Sequence, residues 1–253
     1  MAAGPAAGAS QVPILGFDTL DSTNAEARRR AEAGEVGPVW ITALRQTAGR
    51  GRRGRAWETG AGGNLAATLL LTTDKPLAEA ARISFVAALA VCDLVRAHVT
   101  AAPAQVKWPN DVLVGGRKVS GVLVESGPAA AGGAWLAVGV GINLAEAPAD
   151  VERPATSFAA EGCPPPTPGA ALTVLAERFQ AWLATWDQQG FAAIAEAWSA
   201  RAYGLGQACV ARLGPQIVEG IAEGLEPDGA LRLRLDDGQA RRITAGDVFF
   251  GEG

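Results

Sequence analysis

Alternation of apolar and polar positions, punctuated by glycine, proline and acidic turns, divides this chain into short elements. Residues 12–20 (VPILGFDTL) read as a strand. Ser22 and Thr23 then open a helix, with Thr23 and Glu26 at capping-box spacing and Gly34 as its stop. A second strand over 39–44 runs into an arginine-rich segment, and residues 64–72 form a third apolar, β-capable run. Pro76 suits the first position of a long helix reaching His98. The runs VLV and KVSGVLVE flank Gly115-Gly116, a two-glycine hairpin signal, and 134–144 reads as a buried strand. After the Pro-rich stretch 161–169, helices are predicted over 170–188 and 191–202.

Beyond Tyr203-Gly204 the texture changes. Four short strands (207–213, 217–225, 230–235 and 240–243) are separated by Gly-Pro, Pro-Asp-Gly and Asp-Asp-Gly turns. The pattern predicts an α+β protein with a central mixed or antiparallel sheet and flanking helices, followed by a small SH3-like β-barrel. The expected boundaries are a disordered tail over 1–11, a main domain over 12–203 and the barrel over 204–253.

Composition narrows the function classes. Of 253 residues, 49% are hydrophobic and 19% charged, which excludes a disordered chain. The 22 basic and 26 acidic residues give a net charge of −4, so bulk attraction to nucleic acid or anionic membrane is not expected. Three dispersed cysteines and a single histidine exclude a disulfide scaffold, an ordinary zinc site and Ser-His-Asp chemistry. His98 reads as a dipole partner at a helix end. The opening MAAGPAAGAS lacks signal-peptide character, and the apolar stretch 77–95 is broken by Glu79, Arg82 and Asp93. A soluble protein of the reducing cytoplasm, with no membrane span, is expected.

Three constellations carry chemistry. Gly49-Arg50-Gly51-Arg52-Arg53-Gly54-Arg55 suits either a clamp for small anions or a basic RNA-binding loop, since guanidinium groups grip carboxylate and phosphate alike. In Lys107-Trp108-Pro109-Asn110-Asp111, Asp111 serves either an Asx turn or a hydrated Mg²⁺. Lys118 is either a solvated strand lysine or an anion contact. Val138-Gly139-Val140-Gly141-Ile142-Asn143 places alternating glycines in a buried strand, suggesting close approach of a flat ligand to the sheet. Neither a dinucleotide fingerprint nor a P-loop is present.

Read in order, these motifs resemble the biotin protein ligase family. The resemblance is carried by Ser22-Thr23-Asn24, Gln46 with the Gly/Arg segment through Ala56-Trp57, and Gly62-Gly63-Asn64-Leu65. It continues through Lys107–Asp111, Arg117-Lys118-Val119-Ser120-Gly121 and Gly139–Asn143, with no departure inside them. It covers nearly all of the chain from about residue 14, the SH3-like module included. The departure lies ahead of them: 21 residues precede Ser22, too few for the winged helix-turn-helix of the repressor members. The resemblance therefore implies a ligase without DNA binding.

It implies a class II synthetase-like catalytic domain that joins biotin to ATP as biotinoyl-5′-AMP, then transfers biotin to a lysine of a biotin carboxyl carrier protein. Mg²⁺ is the implied cofactor, and a monomer or homodimer the implied state. By resemblance, Ser22, Thr23, Asn24 and Gln46 bind the ureido end of biotin. Arg50, Gly51, Arg52, Lys118 and Gly121 surround its carboxylate, with Arg52 and Lys118 acting in catalysis. Arg52, Arg55, Trp57, Lys107, Asn110 and Asn143 serve ATP, Trp57 by stacking on adenine, and Asp111 the metal. The nearest rival is lipoate–protein ligase; a nucleic-acid module and a non-enzymatic vitamin binder are further alternatives.

Overall fold

The computed structural model describes residues 12–60, 62–149, 151 and 153–251. The tail expected over 1–11 lies outside these residues. The first sheet is built from β1 (Ile14–Leu20), β2 (Val39–Gln46), β3 (Leu65–Thr73), β4 (Ala104–Lys107), β5 (Asp111–Val114), β6 (Arg117–Pro128) and β7 (Ala134–Ile142). Their spatial order is β1-β2-β3-β7-β6-β5-β4. The pair β1–β2 is parallel and every other pair antiparallel, the mixed sheet that the pattern predicts.

Helices cover both faces. On one face α1 (Thr23–Glu32) sets Ala27 and Ala31 against Val39, Ile41, Leu70 and Ala137. On the other lie α2 (Leu77–Ala80), α3 (Ile83–His98), α4 (Pro168–Gln189) and α5 (Phe191–Ser199), over a core that includes Trp40, Leu69 and Val138. Alternation along β2 explains the split: Val39 and Ile41 point to one cluster and Trp40 to the other. Trp40 meets Phe179 of α4 edge to face at 5.9 Å, a pairing worth about 0.5–1.5 kcal/mol beyond its buried area. No helix among the described residues is long and apolar enough to cross a membrane.

Two local expectations are corrected. The helix expected to run unbroken from Pro76 is two: Pro76 caps α2, and the chain turns at Ala81–Arg82 before α3. That turn buries both Ala80 and Ile83 while Arg82 lies over the Phe191 ring at 5.1 Å. The capping box is not made either. Ser22 is the N-cap, Thr23 turns to Gln46, and Glu26 pairs with Arg29 and Arg30. The Gly115-Gly116 hairpin is present, with both glycines at positive φ, as a two-residue turn of this hand requires. His98 sits in the last turn of α3 with Nδ1 3.0 Å from the Leu94 carbonyl.

The C-terminal sheet is β8 (Ala208–Leu213), β9 (Gln216–Leu225), β10 (Leu231–Arg234), β11 (Ala240–Ile243) and β12 (Asp247–Phe250), in the order β11-β10-β9-β8-β12. It has one strand more than the pattern predicts. The extra strand, β12, pairs antiparallel with β8, far away in sequence, and Gly246 just ahead of it is the one turn residue that announces it. This module packs its apolar side into the same core as the α3–α5 face and carries Asp247 up to the first sheet.

Candidate functional site

A cavity of about 580 Å³ opens on the α1 face of the first sheet. Its floor follows from strand register. Asp111 opposes Gly121, Gly121 opposes Gly141, and Gly141 opposes Ala66, giving one row across four strands. The next row is Leu123, Gly139 and Thr68. Small residues lower this floor so that other groups can lie on it.

The alternating glycines suggest close approach of a flat ligand to the sheet. Both line the cavity, and what approaches them in this structure is side chains, since a Cβ at Gly141 would overlap the indole of Trp57 and one at Gly139 the amide of Asn24. The protein's own side chains occupy the depression, and they line the cavity in turn.

At one end the wall is neutral. The Thr23 backbone N–H and hydroxyl donate to Gln46 Oε1 at 2.8 and 3.1 Å. Thr68 Oγ1 lies 2.8 Å from Thr23 Oγ1 and 2.6 Å from Asn24 Oδ1. Asn24 Nδ2 donates to Glu125 at 2.8 Å and to the Leu123 carbonyl. Ser22 is buried at the N-cap, yet its hydroxyl makes no capping bond. A buried hydroxyl at that position, aimed at a cavity, is available to a ligand.

The other end is charged. Lys118 Nζ lies 2.6 Å from Asp111 Oδ1 and 5.8 Å from the centre of the Trp57 ring. A bulge aims it. Val112 opposes Ser120 but Leu113 opposes Lys118, so Val119 is the extra residue. Val119 enters the core and Lys118 turns to the cavity. Arg52 donates to Asn110 Oδ1 at 3.2 Å, and Asn110 Nδ2 donates to the Val122 carbonyl. Burial lowers the pKa of Arg52, opposed by Asp247 and Asp111. Arg55 donates to Asp247 at 2.6 Å. Arg50 approaches Glu125 at 3.8 Å, and the Gly51 N–H closes the loop onto the Arg55 carbonyl at 2.7 Å. Asn143 is buried, its amide donating to the Thr156 carbonyl.

Every site residue that the resemblance assigns lines the cavity except Lys107. Lys107 opposes Asp111 in the register but is covered, its Nζ near the rings of Phe249 and Phe250 at 5.9 and 5.8 Å. Burial brings its pKa down to about 8. Asn64 has a supporting role, its Oδ1 accepting from the N–H groups of Leu144, Ala145 and Glu146 to shape the adjoining wall.

Sequence reasoning missed Arg153 and Asp247. Arg153 stands 3.7 Å from both Asp111 and Asp247 and covers the Phe249 ring at 4.3 Å. Neither residue belongs to a motif; a lone acid before the apolar run Val248–Phe250 was the one available signal.

No group of three or more His, Cys, Asp or Glu able to hold a metal occurs among the described residues. Asp111 faces Lys118 through one oxygen at 2.6 Å and Arg153 through the other at 3.7 Å, so a hydrated Mg²⁺ beside it would take most of its ligands from phosphate oxygens and water.

Comparison with known proteins gives the family. The family model described as Biotin/lipoate A/B protein ligase family matches residues 17–143, and that described as Biotin protein ligase C terminal domain matches 204–251. The biotin–[acetyl-CoA-carboxylase] ligase of Paracoccus denitrificans is 47% identical over 237 residues, covering 91% of this chain and 98% of the relative. The enzyme of the same name from Mycobacterium tuberculosis is 33% identical, with 90% and 85% covered. Among solved structures, the biotin protein ligase from Aquifex aeolicus in complex with biotin and ATP superposes with a TM-score of 0.78 at 27% identity, covering 94% of this chain and 98% of that one.

Proposed function

Since this chain belongs to the biotin/lipoate A/B protein ligase family, we propose that it is a biotin–[acetyl-CoA-carboxylase] ligase. It activates biotin with ATP and transfers it to a lysine of a biotin carboxyl carrier protein. The observation that carries this reading is one cavity with a neutral hydrogen-bonding end and a cationic end.

In the first step a biotin carboxylate oxygen attacks the α-phosphorus of ATP and pyrophosphate leaves. Two anions must meet, so the barrier is largely electrostatic, and preorganised cations lower it. Lys118, held by Asp111 beside Trp57, is placed to neutralise both the carboxylate and the α-phosphate. Arg50, Gly51 and Arg52 close over the carboxylate, and Arg55 faces the leaving pyrophosphate. Asn110 supports Arg52 from the sheet. In the second step the carrier lysine amine attacks the anhydride carbonyl, forming the amide and releasing AMP and a proton. No enzyme nucleophile is needed, in keeping with the scarcity of histidine and cysteine.

Ser22, Thr23, Asn24 and Gln46 take the ureido group, and Gly121 leaves room beside the carboxylate. Trp57 stacks on adenine, with Asn143 at the adenine edge. Lys107 contributes its charge from beneath Asp111 rather than by contact. Asp111 is the residue that would hold Mg²⁺, which when bound neutralises phosphate charge. The division at about residue 203 separates the catalytic domain from the SH3-like module.

The cytoplasm, where carboxylases and ATP meet, is the proposed location. A monomer or a homodimer is the proposed state; the described lining of the cavity, drawn from both sheets of one chain, supports either. The proposal includes no DNA-binding step, and a sequence-specific gel shift at physiological salt would remove that part of it. The decisive test is incubation with biotin, Mg-ATP and a biotin carboxyl carrier domain, read by mass spectrometry. A single biotinylated lysine is expected. Preference for lipoate over biotin in ATP–pyrophosphate exchange, or no exchange at all, overturns the assignment.

A further inference from the structure

Arg50, Arg53, Gly54 and Arg55 of the arginine-rich loop stay exposed, so their position is set by the partners they find outside the loop. Its stem is closed by the Trp57 N–H donating to the Gly49 carbonyl at 2.9 Å. Its tip is a single 3-10 turn, Arg52–Gly54, with Arg53 in the left-handed region at φ 56°. A non-glycine residue held there needs an external anchor.

That anchor is the start of β12. Arg52 Nη2 donates to the Gly246 carbonyl at 3.2 Å. Arg53 Nη1 donates to Asp247 Oδ2 at 3.0 Å, and Arg55 Nη2 to the same oxygen at 2.6 Å. Arg53 Nη2 reaches the carbonyl of Arg212, the residue paired with Asp247 across β8 and β12, at 3.4 Å. The other oxygen, Asp247 Oδ1, faces Arg153 of the opposite cavity wall at 3.7 Å. The Asp247 side chain is only 6% exposed, whereas Arg53 and Arg55 keep 41% and 49% of theirs. The carboxylate is therefore the fixed partner and the arginines the movable ones. Burial alone would raise the Asp247 pKa; the hydrogen bond and charge of Arg55, with the charges of Arg153 and Arg53, bring it below the usual carboxylate value.

We propose that Asp247 is a positioning residue that latches the arginine-rich loop to the C-terminal module and so keeps the cavity shut over the acyl-adenylate. Asp247 offers the arginines the chemistry that a phosphate offers. While a triphosphate is present, its oxygens compete for Arg53 and Arg55. Once pyrophosphate has left, those arginines return to Asp247, and the loop stays closed through the interval in which the anhydride must be kept from water and stray amines. This inference rests on the ligase reading for its purpose, but not for its geometry.

The test compares wild type with Asp247→Asn and Asp247→Glu, using two readouts. The first is limited trypsin digestion without substrates, timing cleavage within residues 50–55. Asp247→Asn is expected to speed that cleavage at least fivefold relative to cuts elsewhere, and Asp247→Glu to restore much of the protection. The second is biotin incorporation into serum albumin relative to a carrier domain, which should rise severalfold in Asp247→Asn. Unchanged loop cleavage in Asp247→Asn overturns the latch. So does acceleration spread evenly over the chain, which would make Asp247 a stability residue alone. If wild type shows no ATP–pyrophosphate exchange, the ligase reading fails, while digestion still decides whether the loop is latched.

Discussion

At the neutral end of the cavity, Ser22, Thr23, Asn24 and Gln46 come from α1, its N-cap and β2; uncharged hydrogen bonds link Thr23 to Gln46 and Thr68 to Thr23 and Asn24, and Asn24 donates to Glu125 behind the wall. At the charged end, Arg52, Arg55, Lys118, Arg153, Asp111 and Asp247 come from the Gly/Arg loop, β5, β6, the wall after β7 and the C-terminal module. The first end is part of the sheet-and-helix interior and can be preorganised by packing. The second is assembled from separate chain segments, and ion pairs among their side chains do much of the joining. A site that must hold one rigid ring while admitting, cleaving and releasing a polyanion has reason to be built this way, because partly exposed ion pairs exchange partners at little cost.

The largest expected effect lies at the charged end. Lys118→Ala should lower ATP–pyrophosphate exchange by about 10²–10³, the usual consequence of removing a preorganised charge from a developing anion. Exchange within a few-fold of wild type would mean that the charged end works without it. Arg52→Gly should act differently, since Arg52 joins the loop to Asn110 and to the Gly246 carbonyl. Adenylation should suffer less than in Lys118→Ala, while bystander labelling of serum albumin should rise by roughly tenfold as the loop loses a clamp. Outright loss of adenylation would sink the lid interpretation.

The neutral end offers a smaller, cleaner perturbation. Gly139→Ala sets a methyl group against the Asn24 amide. One weakened hydrogen bond of about 1 kcal/mol should loosen biotin roughly fivefold and leave ATP affinity unchanged. Titration calorimetry with each ligand separates the two; equal losses for both would mean that the ends are coupled.

The smallest effect is expected from Lys107. Burial, and then the charge of Arg153, bring its pKa to about 8; Lys118 acts in the same sense, and Asp111 and Asp247 oppose it. Below about 8 both folded and unfolded chains carry the proton, so the cost of burying the charge is fully present. Between about 8 and the ordinary lysine value of 10.5, the unfolded chain binds more protons, so stability gains from this residue as pH rises. Its charge under Asp111 is lost over the same interval, so the KM for ATP should rise a few-fold across pH 8. Lys107→Arg keeps the charge and should flatten that step; an unchanged step assigns it to another group.

Much of this molecule was legible before any tertiary information. The Gly115-Gly116 turn is written in the chain, because only glycine takes two successive positive φ angles without cost, and the mixed sheet and barrel follow from strand periodicity and turn residues. The site residues of the neutral end stand in short, ordered motifs, and the structure brings them to one cavity wall. Other features depend on partners far away in sequence. The glycine strip of β6 and β7 is readable as a place of close approach, but not that Trp57 and Asn24 fill it. Lys118 faces the cavity because of a bulge at Val119, and strict alternation would have turned it into the core. Arg153 and Asp247 belong to no motif and have meaning only where three chain segments meet. The physical reason is one of range. Backbone preference and burial pattern act over a few residues and are encoded locally, whereas the field that a carboxylate of β12 exerts on arginines almost two hundred positions earlier exists only once packing has brought them within a hydrogen bond.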